Sequence, residues 1–182
     1  MTGRPTGLGY AAILVAGAAW HVGPAASWLP LVRRLLPELA GSGRADHVAV
    51  TFDDGPGSDS TPAVLAVLDR LNVRATFFVL GAALAAHREL SRAICAAGHE
   101  LAVHGWDHRG LFGQPFPTVQ DQLRRARELV AEVAEAPPRW FRPAYGVLTG
   151  DAAAAARRLG MRPALWTVWG RDWSASTYAS SA

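Results

Sequence analysis

The chain has 182 residues, half of them hydrophobic and 18% charged, which fits one globular domain and excludes a disordered chain. The formal net charge of +3 comes without a long basic run, so nucleic acid is not an expected partner. The single cysteine, Cys95, excludes an internal disulfide and a cysteine-based metal site.

The first segment of interest is apolar and uncharged. Residues 5–32 contain no Asp, Glu, Lys or Arg, and Leu8–Trp20 is the most apolar part. Ala16–Ala18 fits a small-residue cleavage site. We therefore expect residues 1–36 to be a signal peptide or an N-terminal membrane anchor, with a buried or amphipathic helix as the alternative. Export would make the protein extracellular, or membrane-anchored and facing the cell envelope. Residues 37–46 are expected to be a linker.

The first predicted strand ends in two adjacent carboxylates. Residues His47 to Phe52 alternate β-branched or aromatic side chains with other residues, as half-buried strands do. Asp53 and Asp54 follow, and Gly55–Gly57 turns the chain. The carboxyl ends of parallel strands are where ligands bind, so these acids occupy a favourable position. Taken alone, however, the pair is also explained by ordinary turn chemistry.

Beyond this strand, helical and extended patterns alternate. The helices are expected at Thr61–Leu71, His87–Ala97, Val119–Glu135 and Asp151–Leu159. The further strands are expected at Arg74–Leu80, Glu100–His104, Arg139–Tyr145 and Arg162–Val168. Repeated strand and helix units imply parallel strands with right-handed crossovers. The pattern predicts an α/β, barrel-like domain.

Two histidines follow the third predicted strand. His104 and His108 are spaced i, i+4, so a helical turn there would point both imidazoles the same way. Such a pair is often accidental, but its position predicts that it meets the aspartates. Two imidazoles and one carboxylate leave a coordination position open, as in catalytic zinc sites. Because neighbouring strand residues point to opposite faces, one of Asp53 and Asp54 should bind metal and the other should take a proton.

Three more residues at strand ends have candidate roles. Arg142 is either a surface residue before a Pro turn or the partner of the free aspartate, whose pKa a nearby cation would lower. Asp172 and Trp173 follow the fifth predicted strand. Trp173 either belongs to the core or forms a wall of a small acyl pocket beside the metal.

Four motifs now stand in order: TFDDGP, HxxxH, RPxYG and a later DW. Together they resemble the polysaccharide deacetylase family, also known as NodB-homology domains or carbohydrate esterase family 4, from about His47 to Trp173. The resemblance implies a distorted (β/α) barrel that removes N- or O-acetyl groups from chitin, peptidoglycan, xylan or related glycans. It also implies a divalent metal, with Zn²⁺ first and Co²⁺, Ni²⁺ or Mn²⁺ as alternatives. The partner would be an acetylated polysaccharide, and the chain would act as a monomer.

The resemblance implies a role for each motif residue. Asp53 resembles the general base, and Arg142 resembles the arginine that orients it. The metal ligands would be Asp54, His104 and His108. Water would attack the acetyl carbonyl while Asp53 takes its proton.

The later motifs supply the remaining roles. The backbone N–H of Tyr145 resembles the oxyanion donor, and Trp173 resembles a wall of the acetyl pocket. Trp169 stands where the family has the first Asp of a DxxDW motif, so Asp172 would have to orient Arg142 or a histidine by itself.

Two further departures put parts of this expectation in doubt. Gly105 stands where the family usually has Ser or Thr, which removes a hydroxyl that could hold the histidine loop. No L-x-H motif follows Trp173, so we expect residues 47–182 to be a truncated deacetylase domain that lacks its last strands and helix. The alternatives are a catalytically impaired glycan-binding module that keeps the metal site, or a different metal-dependent hydrolase on a similar barrel.

Overall fold

Five parallel strands form the sheet of this protein. The computed structural model describes residues 15–18, 20, 29–35, 39, 41, 43–168 and 170. The strands are β1 (Thr51–Asp53), β2 (Thr76–Val79), β3 (Glu100–Val103), β4 (Trp140–Phe141) and β5 (Arg162–Pro163). They lie side by side in chain order, each parallel to the next. This arrangement confirms the α/β class, and (β/α) barrels use the same sequential order.

One helix precedes β1, and the others connect successive strands in the described part of the chain. They are α1 (Pro30–Leu35), α2 (Thr61–Leu71), α3 (Gly81–Ala86), α4 (Arg88–Ala96), α5 (Phe116–Ala134) and α6 (Gly150–Arg158), with a short 3₁₀ turn at Ala144–Gly146. Helix α2 has the predicted bounds: a proline lies in its first turn, and Asn72 ends it in the left-handed conformation. Helix α3 was not predicted, and its start carries no side-chain cap.

The core lies between the sheet and the helices. Helix α5 contributes one buried face at helical spacing, consisting of Val119, Leu123, Ala126, Val130 and Val133. Helix α6 packs against α5 through small buried residues, namely Ala152, Ala153, Ala155 and Ala156. A fully buried Val or Leu contributes about 1.5–3 kcal/mol, so the face of α5 is a principal source of stability.

The observed strands are shorter than the sequence predicted. Strand β1 begins at Thr51, because its register with β2 begins there, and Val48 is 92% exposed. Strand β4 ends at Phe141, and the chain enters the 3₁₀ turn three residues later. Strand β5 ends at Pro163, a residue without an N–H to continue a ladder.

Several predictions concern residues outside the described part of the chain. The signal peptide or anchor expected at 1–36 falls there for the most part, as do Trp169, Asp172 and Trp173. Among the residues that the structure does describe, none belongs to a helix of the length and apolarity that a membrane span requires.

Candidate active site

The carboxyl ends of β1, β3 and β4 bring the candidate residues to one rim. Asp53 is the last residue of β1, His104 follows β3 directly, and Arg142 follows β4 directly. Asp54 has a φ of 69°, in the left-handed region, so the chain turns immediately after Asp53. As a result, the two neighbouring carboxylates contact different partners, as we predicted because neighbouring strand residues point to opposite faces.

The first of these groups is the histidine cluster, which we define as Asp54, His104 and His108. Asp54 Oδ1 lies 3.1 Å from His104 Nε2 and 3.1 Å from His108 Nε2. One ligand atom from each residue lies within 4.8 Å of the others, a spacing that can hold a metal ion. The His104 side chain is 2% exposed whereas that of Asp54 is 61% exposed, so the cluster is buried on one side and open to solvent on the other.

The hydrogen bond at the far side of His104 supports a cation in this cluster. His104 Nδ1 lies 2.8 Å from the carbonyl oxygen of Arg142. A carbonyl can only accept, so Nδ1 carries the proton and a neutral ring has its lone pair on Nε2. That lone pair faces a carboxylate oxygen of Asp54. Two acceptors in this position repel one another unless a proton or a metal ion lies between them, so the donor set fits a metal ion.

Asp54 remains a carboxylate in this setting. The hydrogen bond with His104 holds the pKa of Asp54 below its usual value, and electrostatic attraction by the two imidazoles adds to the effect. Partial burial opposes the shift without reversing it. Asp54 is therefore an anionic group that could serve as a metal ligand.

The loop between the two histidines is not helical, so the helical turn considered from the sequence is wrong. Residues 106–108 form bends, and Gly105 has a φ of 112°, which residues with a side chain rarely adopt. The imidazole rings nevertheless approach to 5.5 Å between centroids. The loop places the histidines together by its tertiary contacts, which a spacing of four residues does not reveal.

The second group is the aspartate–arginine cluster, which we define as Thr51, Asp53 and Arg142. Arg142 Nη1 donates to Asp53 Oδ1 at 2.6 Å and to Thr51 Oγ1 at 3.0 Å. The guanidinium also donates to the carbonyl oxygens of Ala164 at 3.2 Å and Leu165 at 3.0 Å. The predicted pairing of Arg142 with the free aspartate is therefore present in the geometry.

Arg142 is buried, and two aromatic rings lie close to it. Its side chain is 4% exposed, with Phe78 at 3.8 Å and Trp166 at 5.3 Å from the guanidinium carbon to the ring centroid. Burial lowers the pKa of Arg142, and the negative charge of Asp53 opposes that shift. The sequence reasoning missed Thr51, Phe78 and Trp166. Thr51 could have been found, because residues i and i+2 of a strand share a face and Asp53 lies on that face.

Tyr145 lies over the exposed side of the histidine cluster. Its ring centroid is 4.4 Å from that of His108, and its hydroxyl donates to the carbonyl oxygen of His108 at 3.2 Å. It belongs to the 3₁₀ turn after β4 and has a φ of 59°. The turn thus brings Tyr145 to the rim predicted for it, and its side chain adds a contact with the histidine loop that the sequence did not indicate.

The family follows from a comparison over most of the described domain. The family model described as polysaccharide deacetylase matches residues 40–164, which is more than half of the chain. The chain belongs to the polysaccharide deacetylase family. The resemblance to this family is thereby confirmed, and the TFDDGP, HxxxH and RPxYG motifs lie within the matched residues.

Relatives and solved structures of this family are similar to the chain. It is 37% identical over 150 residues to a chitooligosaccharide deacetylase of Bradyrhizobium, covering 81% of this chain and 67% of that protein. It is 35% identical over 138 residues to the peptidoglycan-N-acetylglucosamine deacetylase PgdA of Listeria monocytogenes, covering 76% of this chain and 29% of that protein. The chain thus spans less than a third of the Listeria relative.

Two solved structures show the same fold. The Bc1960 peptidoglycan N-acetylglucosamine deacetylase superimposes with a TM-score of 0.67 and 31% identity, covering 75% of this chain and 65% of that one. A CE4 family pseudoenzyme from Bacillus anthracis superimposes with a TM-score of 0.66 and 25% identity, covering 69% of this chain and 44% of that one. The fold of this family therefore occurs both in an enzyme and in a pseudoenzyme.

Proposed function

We propose that this protein is a metal-dependent hydrolase that removes acetyl groups, N- or O-linked, from a polysaccharide. The observation that carries the proposal is the placement of the histidine cluster beside the aspartate–arginine cluster at one rim of the sheet. One cluster offers ligands for a cation and the other offers an oriented carboxylate. Hydrolysis of an acetyl group requires both an electrophilic centre and a base.

Asp54 Oδ1, His104 Nε2 and His108 Nε2 would hold the metal ion, for which Zn²⁺ is our first choice, with Co²⁺, Ni²⁺ or Mn²⁺ as alternatives. When bound, a divalent ion supplies a Lewis acid that polarises the acetyl carbonyl and lowers the pKa of a water molecule. The Nδ1 bond to the Arg142 carbonyl orients the His104 ring for this role.

Asp53 would act as the general base. It accepts the proton of the attacking water, and Arg142 holds the carboxylate in place through the 2.6 Å contact. Because the guanidinium is held by hydrogen bonds to Thr51, Ala164 and Leu165 as well as to Asp53, the base is oriented before substrate arrives.

The remaining assignments rest on the family motifs. The backbone N–H of Tyr145 would donate to the oxyanion that forms on the acetyl carbonyl. Trp173 would form a wall of the acetyl pocket, and Asp172 would help to orient Arg142 or a histidine. Both of these residues lie outside the described part of the chain.

We further propose an acetylated polysaccharide such as peptidoglycan, a chitin oligomer or xylan as the substrate. The similarity to a chitooligosaccharide deacetylase and to a peptidoglycan-N-acetylglucosamine deacetylase supports an N-acetylated glycan. Such substrates agree with the expected extracellular or envelope-facing location. We expect a monomer that attaches to a membrane, if at all, through residues 1–36.

Acetate release from the full chain tests this function. The substrates are an N-acetylated chitooligosaccharide, peptidoglycan fragments and acetylated xylan. We expect acetate from at least one of them, loss of activity with a chelator, recovery with added Zn²⁺, and loss in Asp53→Asn. Acetate release that survives both the chelator and the substitution would contradict the mechanism. No acetate from any substrate would contradict the function.

A glycan-binding protein with impaired catalysis is the second candidate. It is favoured by Trp169, which stands in the place of an aspartate of the family motif, and by the similarity to a pseudoenzyme of the same fold. Calorimetry with the same glycans distinguishes the two. Binding of glycan and of Zn²⁺ without any acetate release would favour this second candidate.

A further inference from the structure

The start of helix α3 is hydrogen-bonded to the histidine loop, which we define as residues 104–108. The N–H of Gly81 donates to the carbonyl oxygen of Gly105 at 2.9 Å, and the N–H of Ala82 donates to that of Trp106 at 2.9 Å. The first N–H groups of a helix have no partner within the helix and need an acceptor elsewhere. Here the loop between the two histidines provides that acceptor, so the helix start and the loop determine each other's position.

Trp106 fills the space between this helix start and helix α5. A Cβ placed on Gly81 would lie 2.5 Å from Cε3 and 3.0 Å from Cζ3 of the indole, so the ring packs directly on the glycine backbone. On α5, the guanidinium carbon of Arg125 lies 3.9 Å from the centroid of the same ring. The indole is therefore enclosed by backbone on one side and by a cation on the other.

These contacts hold the loop next to a residue that has no side chain. Gly105 carries no hydroxyl that could hold the loop, and its φ of 112° excludes a simple replacement by Ser or Thr. Trp106 lies between His104 and His108 in the chain, so a displacement of its backbone moves both imidazoles. If Trp106 only occupied space in the core, its indole would be needed there, but a cation over the outer face of the ring would not.

We propose that Trp106, enclosed by Gly81 and Arg125, is a positioning residue that sets the geometry of the two histidines for metal binding. This inference rests on the metal site of the proposed function. Arg125 acts through Trp106, over whose ring its guanidinium lies. Loss of the cation should loosen the indole and let the histidine loop sample other conformations, which weakens metal binding without unfolding the domain.

The test compares neighbouring arginines on one helix. Arg125→Gln removes the cation from the indole, and Arg124→Gln is the matched control, because Arg124 pairs with Asp121 and Glu128 at the exposed surface. The readouts on the full chain are the Zn²⁺ dissociation constant by chelator competition, the visible spectrum of the Co²⁺ form, and thermal unfolding without metal. Arg125→Lys tests rescue, because it restores a cation.

We expect Arg125→Gln to weaken Zn²⁺ binding about 10-fold and to change the Co²⁺ spectrum, as outer-shell substitutions do. Arg124→Gln should match the wild type, and Arg125→Lys should recover most of the affinity. Gly81→Ala, whose methyl group collides with the indole, should weaken binding further; circular dichroism shows whether it folds. Equal Zn²⁺ affinities in wild type and Arg125→Gln would overturn the positioning role of Trp106 and Arg125 but not the proposed metal site. A wild type that binds no Zn²⁺ would overturn the metal site itself.

Discussion

The two carboxylates at the end of β1 are neighbours in sequence, yet they belong to environments of opposite character. Asp53 contacts a buried arginine whose bonds go to the protein itself. Asp54 is exposed and faces imidazole nitrogens that cannot all be satisfied without a cation. The aspartate–arginine cluster is thus satisfied by groups of the protein itself, whereas the histidine cluster needs a proton or a metal ion between its imidazole nitrogens and the Asp54 carboxylate. Exchange of the two roles is prevented by the left-handed turn at Asp54.

The sharpest test of this difference substitutes each aspartate by its amide. Asp54→Asn should weaken Zn²⁺ binding by more than about 100-fold, since even outer-shell partners account for about 10–100-fold. Asp53→Asn should keep Zn²⁺ affinity while lowering turnover by about 10²–10⁴-fold, the contribution of a general base. Calorimetry and acetate release measure the two effects. Loss of metal binding in both variants would show that the clusters are not separate.

A second test concerns stability without metal. Arg142→Met should cost about 3 kcal/mol in the free energy of unfolding, because it leaves Asp53 and two backbone carbonyls without their partner. Arg139→Met is the control: Arg139 pairs with Glu100 at the surface, and its loss should stay within about 1 kcal/mol. Urea unfolding of the apoproteins measures both. Equal midpoints for the two variants would contradict the preformed aspartate–arginine cluster.

A smaller effect is expected at the exposed edge of the histidine cluster. Tyr145→Phe removes the hydroxyl that donates to the His108 carbonyl but keeps the ring contact. One hydrogen bond contributes about 0.5–1.5 kcal/mol, and exposure places this one at the lower end, so Zn²⁺ affinity should fall about 2-fold. Tyr145→Leu removes the ring as well, so its Zn²⁺ affinity should be lower still. Chelator competition ranks the variants, and identical affinities would assign no role to the side chain.

Acid sensitivity that belongs to neither cluster must be separated from these effects. Burial and the nearby charge of Arg74 lower the pKa of His99, whose Nδ1 accepts from the N–H of Ala75. The unfolded chain therefore binds the proton more readily, and stability falls as the pH drops below the ordinary value of about 6.5. His99→Asn keeps an acceptor without titrating, so its stability should depend less on pH between 7 and about 5. Parallel pH curves for both proteins would contradict this origin.

Much of the site was accessible from the sequence because its signals are local. Asp53, Arg142 and His104 each stand at the end of an extended pattern, and parallel strands bring such ends to one rim. The bounds of α2 were predicted correctly from a proline near its start and the apolar spacing within it. The short strands β4 and β5 were overestimated, because extended residues beyond the ladder have the same composition as residues within it.

The features that escaped prediction depend on distant partners. Helix α3 has no capping side chain, since its first N–H groups are satisfied by the carbonyls of Gly105 and Trp106. The histidines meet through a bend held by those same bonds rather than through a helical turn. Likewise, the environment of Arg142 comes from Phe78 and Trp166, which lie on other strands and loops.

The amino-acid sequence was sufficient to predict the α/β class, the family, and the candidate ligands and base at the strand ends. The α/β class follows from the periodicity of the strands and helices, whereas the family and the roles of the candidate residues come from the resemblance of the motifs to that family. Only the tertiary structure decided which aspartate faces which partner and what holds the histidine loop. Those outcomes depend on one left-handed residue at Asp54 and on contacts between segments far apart in the chain, which no local pattern encodes.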